Sequence, residues 1–253
     1  MASTVLVKDV LWRICLLLSD TTPQFTRWTE RELVHWLNDA RIAITKALPL
    51  ANVRVDSIKL PNDSHHSIET IAAADCIPGD GTTPTVPIYG TQFLRAIRNM
   101  GLDGLEQGRA IRMVDREDMD AAEPDWHMRA GANVTSCIFD PLQPLHFGTY
   151  PSTKGYVWIE IAYCAVPIPI PNSAAAGSEA YLNSGSSTVT LGIADQYVEE
   201  CVDYVLSRAH QGDVLHAEPV KAIYHEQRFI NSLKSKIAAV GGTDPNLSMR
   251  PGG

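Results

Sequence analysis

Eight histidines, five cysteines and one dense acidic run are the residues of this chain that could do chemistry. None of them has the spacing that chemistry needs. His65 and His66 are adjacent, and on a strand they would point to opposite faces, which excludes shared metal ligation. His225-Glu226 begins a His-Glu-x-x-His pattern, but position 229 is Phe, so the second imidazole of a zinc site is missing. Cys15, Cys76, Cys137, Cys164 and Cys201 form no Cys-x-x-Cys and have no histidine at zinc-finger spacing. They fall mainly in apolar helical or strand patterns and read as small buried hydrophobes of a reducing compartment. Asp115, Glu117, Asp118, Asp120, Glu123 and Asp125 cluster around the start of a short helix, where carboxylates complement the dipole. That makes them a solvated, capped helix before they make a cation site. Gly-x-Ser-x-Gly, phosphate-loop and Gly-x-Gly-x-x-Gly signatures are absent. No catalytic residue, cofactor or metal is expected. Two other classes stay open: a metal-dependent hydrolase built from histidines and the acidic run, and a carbohydrate- or peptide-binding β module using Trp126 and Trp158.

Charge narrows the field further. The net charge of -8, with 20% charged and 45% hydrophobic residues, describes a folded soluble chain and argues against holding nucleic acid, which needs clustered cations. The densest basic spot is Arg95, Arg98, Arg109 and Arg112. Its alternation with Ile97, Ile111 and Met113 gives a solvated sheet face. Residues 5–18 are mostly apolar but carry Lys8, Asp9 and Arg13, and are too short for a bilayer core needing about 20 residues. They predict a buried helix, with no membrane and no targeting segment.

The hydrophobic period then switches from about 3.6 to 2 and back, which predicts an α+β fold. A helical bundle drawn from both chain ends, 1–50 and 190–240, is expected to carry an inserted antiparallel β domain over 51–189. The first helix has apolar residues on nearly every face, so Leu11 and Trp12 become subunit-interface candidates. The second is announced by a capping box, Thr29 and Glu32, by a staple pair, Trp28 and Leu33, and by a stop at Pro49. Asn38 and Asp39 are expected on its solvated face. Strands are expected at 53–60, 67–72, 93–98, 110–114, 134–139, 145–150 and 156–166, with hairpin-like turns at Asp140-Pro141 and 151–155. A last short strand is expected at 188–191. A third helix starts near Asp195. A fourth starts near Pro219, buries Val220, Ile223, Tyr224, Ile230, Leu233 and Ile237, and ends at Gly241-Gly242. The tail, 241–253, is extended. Leu247 and Met249 are spaced as two anchors on one side, with Arg250 as a polar contact.

Five phrases lie in matching order along most of the chain: Trp28-Thr-Glu-Arg-Glu-Leu33 with Trp36-Leu-Asn-Asp-Ala40, the stretch 95–100, the stretch 108–127, Phe139-Asp-Pro141 with Tyr150-Pro151, and Asp203-Tyr-Val-Leu206. In this order and spacing the chain resembles tailed-bacteriophage head-to-tail adaptor (connector) proteins. The resemblance implies a structural virion protein at the head–tail junction, assembled in the host cytoplasm as a homo-oligomeric ring of about twelve subunits. It implies a portal protein above, gripped by the Leu247–Met249–Arg250 tail. A downstream tail or nozzle protein lies below, and double-stranded DNA passes the channel without specific binding. The segments 75–88 and 172–187 depart from the family's usual pattern.

Overall fold

The computed structural model of the protein describes residues 4–20, 27–79, 84–171, 181–182, 188–212 and 218–243. The chain is α+β, and it divides into two compact units. Asn52–Ile168 forms a β unit, and residues on both sides of it, Ala2–Ala51 and Pro169–Gly253, form a helical unit.

In the helical unit, α1 (Val7–Leu17) buries Val7, Val10, Leu11, Ile14 and Cys15, the stripe expected of a 3.6 period. Helix α2 (Glu30–Ala47) opens on the capping box: the Thr29 hydroxyl accepts from the Glu32 amide at 3.3 Å, and the Glu32 carboxylate accepts from the Thr29 amide at 3.1 Å. Two of the helix's orphan donors are thereby satisfied. Trp28 is buried and meets Trp36 edge-on, ring centroids 5.7 Å apart. Two further helices come from the other side of the β unit, α4 (Val198–Gly212) and α5 (Pro219–Thr243), the former led in by a 3-10 turn at Asp195–Tyr197. Leu11 and Ile14 of α1, Leu33 and Leu37 of α2, Val205 of α4 and Leu233 of α5 belong to one core.

Several expectations are corrected here. Residues 188–191 form no strand. They make a single antiparallel bridge, Leu6 to Thr190, with the Val7 amide donating to Val189 and the Leu191 amide to Val5. Helix α5 runs through Gly241 and Gly242 to Thr243. Asn38 is not solvated surface. Its side chain exchanges two hydrogen bonds with the Ile170 backbone, 2.9 and 3.1 Å, and accepts from Arg41. Arg41 is itself buried, and burial lowers its guanidinium to about 10. Its end reaches the backbone at Gly192, whose φ of +69° and lack of a Cβ leave the room it needs.

The β unit contains β1 (Val53–Leu60), β2 (His65–Ser67), β3 (Cys76–Pro78), β4 (Gly90–Asn99), β5 (Arg112–Asp115), α3 (Arg116–Ala122), β6 (Ala130–Gly131), β7 (Ser136–Phe139), β8 (His146–Tyr150), β9 (Ser152–Thr153) and β10 (Val157–Ala165). Two four-stranded sheets, ordered β3-β1-β10-β4 and β2-β8-β7-β5, share one core. This is not the simple antiparallel meander expected. The first strand pairs with the last (Val53 opposite Cys164), while β5 pairs with β7, and β6 with β9, in parallel. The turn at Asp140-Pro141 does close a hairpin, β7 to β8. Residues 151–155 do not, because β8 and β10 lie in different sheets. Along β10, Val157, Ile159, Ile161 and Tyr163 are buried on one side, and Ala162 and Cys164 are buried on the other.

Candidate functional site

Three of the histidines, His66, His65 and His225, sit in unrelated settings. His66 is buried in β2 against Phe147, with Nε2 3.1 Å from the Thr149 hydroxyl. Burial pushes its pKa down to about 4, so it is a neutral core residue. His65 points outward and stacks edge-on with Trp126. His225 bonds Asp203 through Nδ1 at 2.8 Å, with Arg228 on the other carboxylate oxygen at 3.4 Å. A second buried carboxylate on α4, Glu200, takes Lys236 at 2.5 Å and the Ser232 hydroxyl. These pairs dock α5 onto α4. Both of these buried carboxylates are charge-paired, which offsets the cost of taking them out of water.

The acidic run is likewise committed to structure. Asp115 caps α3 by accepting from the Glu117 amide at 3.0 Å. Asp120 accepts from the Trp126 indole at 2.8 Å, and Glu123 accepts from the Tyr150 hydroxyl at 2.8 Å and pairs with Arg129. The run therefore fastens Trp126 and Tyr150 into a small satellite core with Met119 and Ile138. Among the described residues no group of three or more His, Cys, Asp or Glu could hold a metal ion. All five cysteines are buried and outside any disulfide. Burial raises the thiols of Cys164 and Cys201 to about 12, far from a reactive thiolate.

A cleft on the β unit is lined by His65, Arg116, Trp126, Asp140, Gln143 and His146. Its space of about 30 Å³ is that of a water molecule or two and well below what a substrate needs. Trp126 is buried and the ring of Trp158 is covered by Gly104, so neither is presented as a platform for a sugar or peptide. Of the arginine cluster, Arg98 pairs with Glu160 at 2.8 Å and with Gln107, while Arg95, Arg109 and Arg112 are solvated. Among the described residues no helix is long and apolar enough to cross a membrane.

What remains is exposed apolar surface, scattered in the β unit at Leu102, Leu105, Met128, Leu142 and Tyr156 and gathered on helices in the helical unit. Leu11 lies wholly inside the core of the helical unit, so its side chain is not available as the interface residue the pattern suggested. Trp12 is exposed, and so are Leu16 and Leu17 one turn further on. The larger surface is on α5. Val220, Ile223, Tyr224, Ile230 and Ile237, expected to be its buried side, are all exposed, while Ala222 and Leu233 face the core. Leu247, Met249 and Arg250 lie outside the described residues, as does most of 172–187; the 75–88 segment is tied down at its far end by backbone pairing of Ile71 with Ile88.

Sequence reasoning missed three positioning residues. Glu30 is buried in the first turn of α2 and accepts from the Tyr181 and Leu182 amides, at 3.1 and 2.9 Å. Asn99 donates to the Arg109 and Val134 carbonyls and accepts from the Val134 amide. Asp56 accepts from Tyr163 at 2.7 Å and from Arg54 at 2.8 Å inside the β unit. No local pattern marks their long-range partners, since Tyr181 and Leu182, Val134 and Tyr163 lie 35 to 152 positions away along the chain.

No curated protein matches this chain. The family model of the SU10 adaptor protein matches residues 6–250, nearly the whole of it, including both helical segments and the β unit between them. Apolar helix faces turned to solvent fit that assignment. The chain belongs to the SU10 adaptor protein family, a family of phage head–tail adaptors with a structural place at the head–tail junction of the virion.

Proposed function

We propose that this protein is the ring-forming adaptor that joins the portal to the tail and forms part of the channel through which the genome leaves. The family match over residues 6–250 carries the reading. The exposed apolar faces of α1 and α5 support it, since surface of that kind on a folded chain marks a place where another protein sits. Twelve or so copies form the ring. The helical unit meets the portal, Leu247, Met249 and Arg250 of each tail grip it, and a nozzle or tail component follows below. The acidic surplus of the chain in part lines the lumen, where it repels phosphate, so DNA passes without being held.

Class averages of the protein alone and mixed with portal rings test this. The expected result is a closed ring that stacks coaxially on the portal and does not bind double-stranded DNA at physiological salt. Protein that forms no ring in either sample, or that retains DNA tightly, contradicts it. Removing residues 244–253 should leave the folded chain unchanged and weaken loading on the portal. Truncated protein that loads as well as the full chain ends the tail's role.

A further inference from the structure

The exposed residues of α5 have a spacing of their own. Val220, Ile223, Gln227, Ile230, Lys234 and Ile237 recur at alternating steps of three and four, the 3.5 period of a helix–helix seam. The apolar members, with Tyr224 beside them, are 40–80% exposed. The face that packs on α4, with Ala222 and Leu233, is a different one. Helix α5 thus has two faces, one packed on α4 and one, the more apolar, left exposed among the described residues. On α1, Asp9, Trp12 and Leu16 lie along one outward line at steps of three and four, with Leu17 alongside. Trp12, Leu16 and Leu17 are 41–62% exposed.

We infer that the outer face of α5 in one copy packs against the outer face of α1 in the next copy, and that this head-to-tail contact is the seam between neighbouring subunits. The inference rests on the ring reading and names the surfaces that build it. Three observations favour this occupant. A helix-period seam fits a helix, and α1 is a second helix of this same unit with an exposed apolar line. The two faces together expose eight large apolar side chains, five on α5 and three on α1, each 40–80% accessible, and a cluster of that kind is what the core of a stable contact buries. The charges also match. Lys234 sits on the α5 seam and Asp9 on the α1 line, whereas two α5 helices pairing with each other would bring Lys234 into a seam whose own positions hold no carboxylate. Because the two faces differ, the contact is heterologous. It propagates from copy to copy and closes as a ring instead of stopping at a dimer.

The test uses the full chain with Leu16→Asp on one face and Ile230→Asp on the other, alone and mixed, read by mass photometry with far-UV circular dichroism as the folding check. The wild type should form a ring and each variant a folded monomer. The equimolar mixture should form a two-copy species and nothing larger, since each variant retains one intact face and only one productive contact can form. If either variant keeps the wild-type ring, or if the mixture stays monomeric, the seam is wrong while the ring stands. A wild type that is monomeric at every concentration alone, and that forms no ring on portal rings either, overturns the ring reading and the seam with it. Should an Asp variant lose its helicity, Leu16→Gln or Ile230→Gln takes its place with the same expected outcomes.

Discussion

Helices α2 and α5 look alike in sequence and have opposite fates. Both read as amphipathic, with apolar residues at steps of three and four. Helix α2 hides most of its stripe: Leu33, Val34, Leu37, Ala40 and Ile44 are buried in the helical unit's core and Trp36 packs against it, partly buried. Helix α5 leaves five large apolar residues in solvent and docks through a second face, much of it polar, on which His225, Arg228 and Lys236 meet carboxylates of α4. The apolar period therefore reports that a face will be covered and does not report by whom. Charge pairing on α5's inner face holds it to α4 while its apolar stripe stays exposed.

The sharpest way to break this comparison is truncation on each helix. Leu37→Ala should cost the isolated chain about 2–5 kcal/mol in a urea unfolding titration, because it opens a cavity in a filled core. Ile230→Ala should cost it less than about 0.5 kcal/mol, as an exposed site does. Equal losses would place the α5 stripe in the core after all.

Acid should act on the β unit at a single buried ring. His66 has a folded pKa of about 4, below its unfolded value of about 6.5. Between those values the unfolded chain takes up a proton that the folded chain refuses. This contribution to stability is complete above pH 6.5 and is lost as pH falls towards 4, by up to about 3 kcal/mol. His66→Gln should flatten this part of the pH profile in denaturant titrations at pH 7 and 4.5. An unchanged slope would remove His66 as its source.

Smaller effects follow at the amide clamps. Asn38→Ala and Asn99→Ala each strip partners from buried backbone groups and should each cost about 1–3 kcal/mol, read as a shift in urea midpoint at constant slope. A loss within error would mean that water replaces the side chain. Thr29→Ala should cost somewhat less, about 0.5–2 kcal/mol, by leaving the first turn of α2 uncapped.

The capping box of α2, the period switch between helices and strands and the buried thiols were legible because each is a local property of neighbouring residues. The family resemblance was legible in ordered phrases, and the structure shows what several of those residues do: Thr29 caps, Trp126 and Tyr150 fasten α3, and Asp203 docks α5. The strand order was not legible. Pairing β1 with β10 joins residues about a hundred positions apart, and nothing in either strand names the other. Asn38 failed for the same reason, since a polar residue on a helix's outer line looks solvated until Ile170 arrives beside it. The exposed stripe of α5 failed differently. Its apolar residues recur at helical steps as expected, but the side they were expected to bury is exposed, because α5 docks on α4 through a different face.

Covalent trapping tests the central claim most directly. The native cysteines are all buried, so a cysteine placed at position 16 and a second at 223, 230 or 237 would be the accessible pair. Oxidised under native conditions, at least one such double variant should give a ladder of covalent multimers that ends at the ring, while each single-cysteine variant should stay monomeric on a denaturing gel. A single variant at 223, 230 or 237 that forms a dimer, with no ladder from any double variant, would show α5 meeting its own counterpart and would contradict the account.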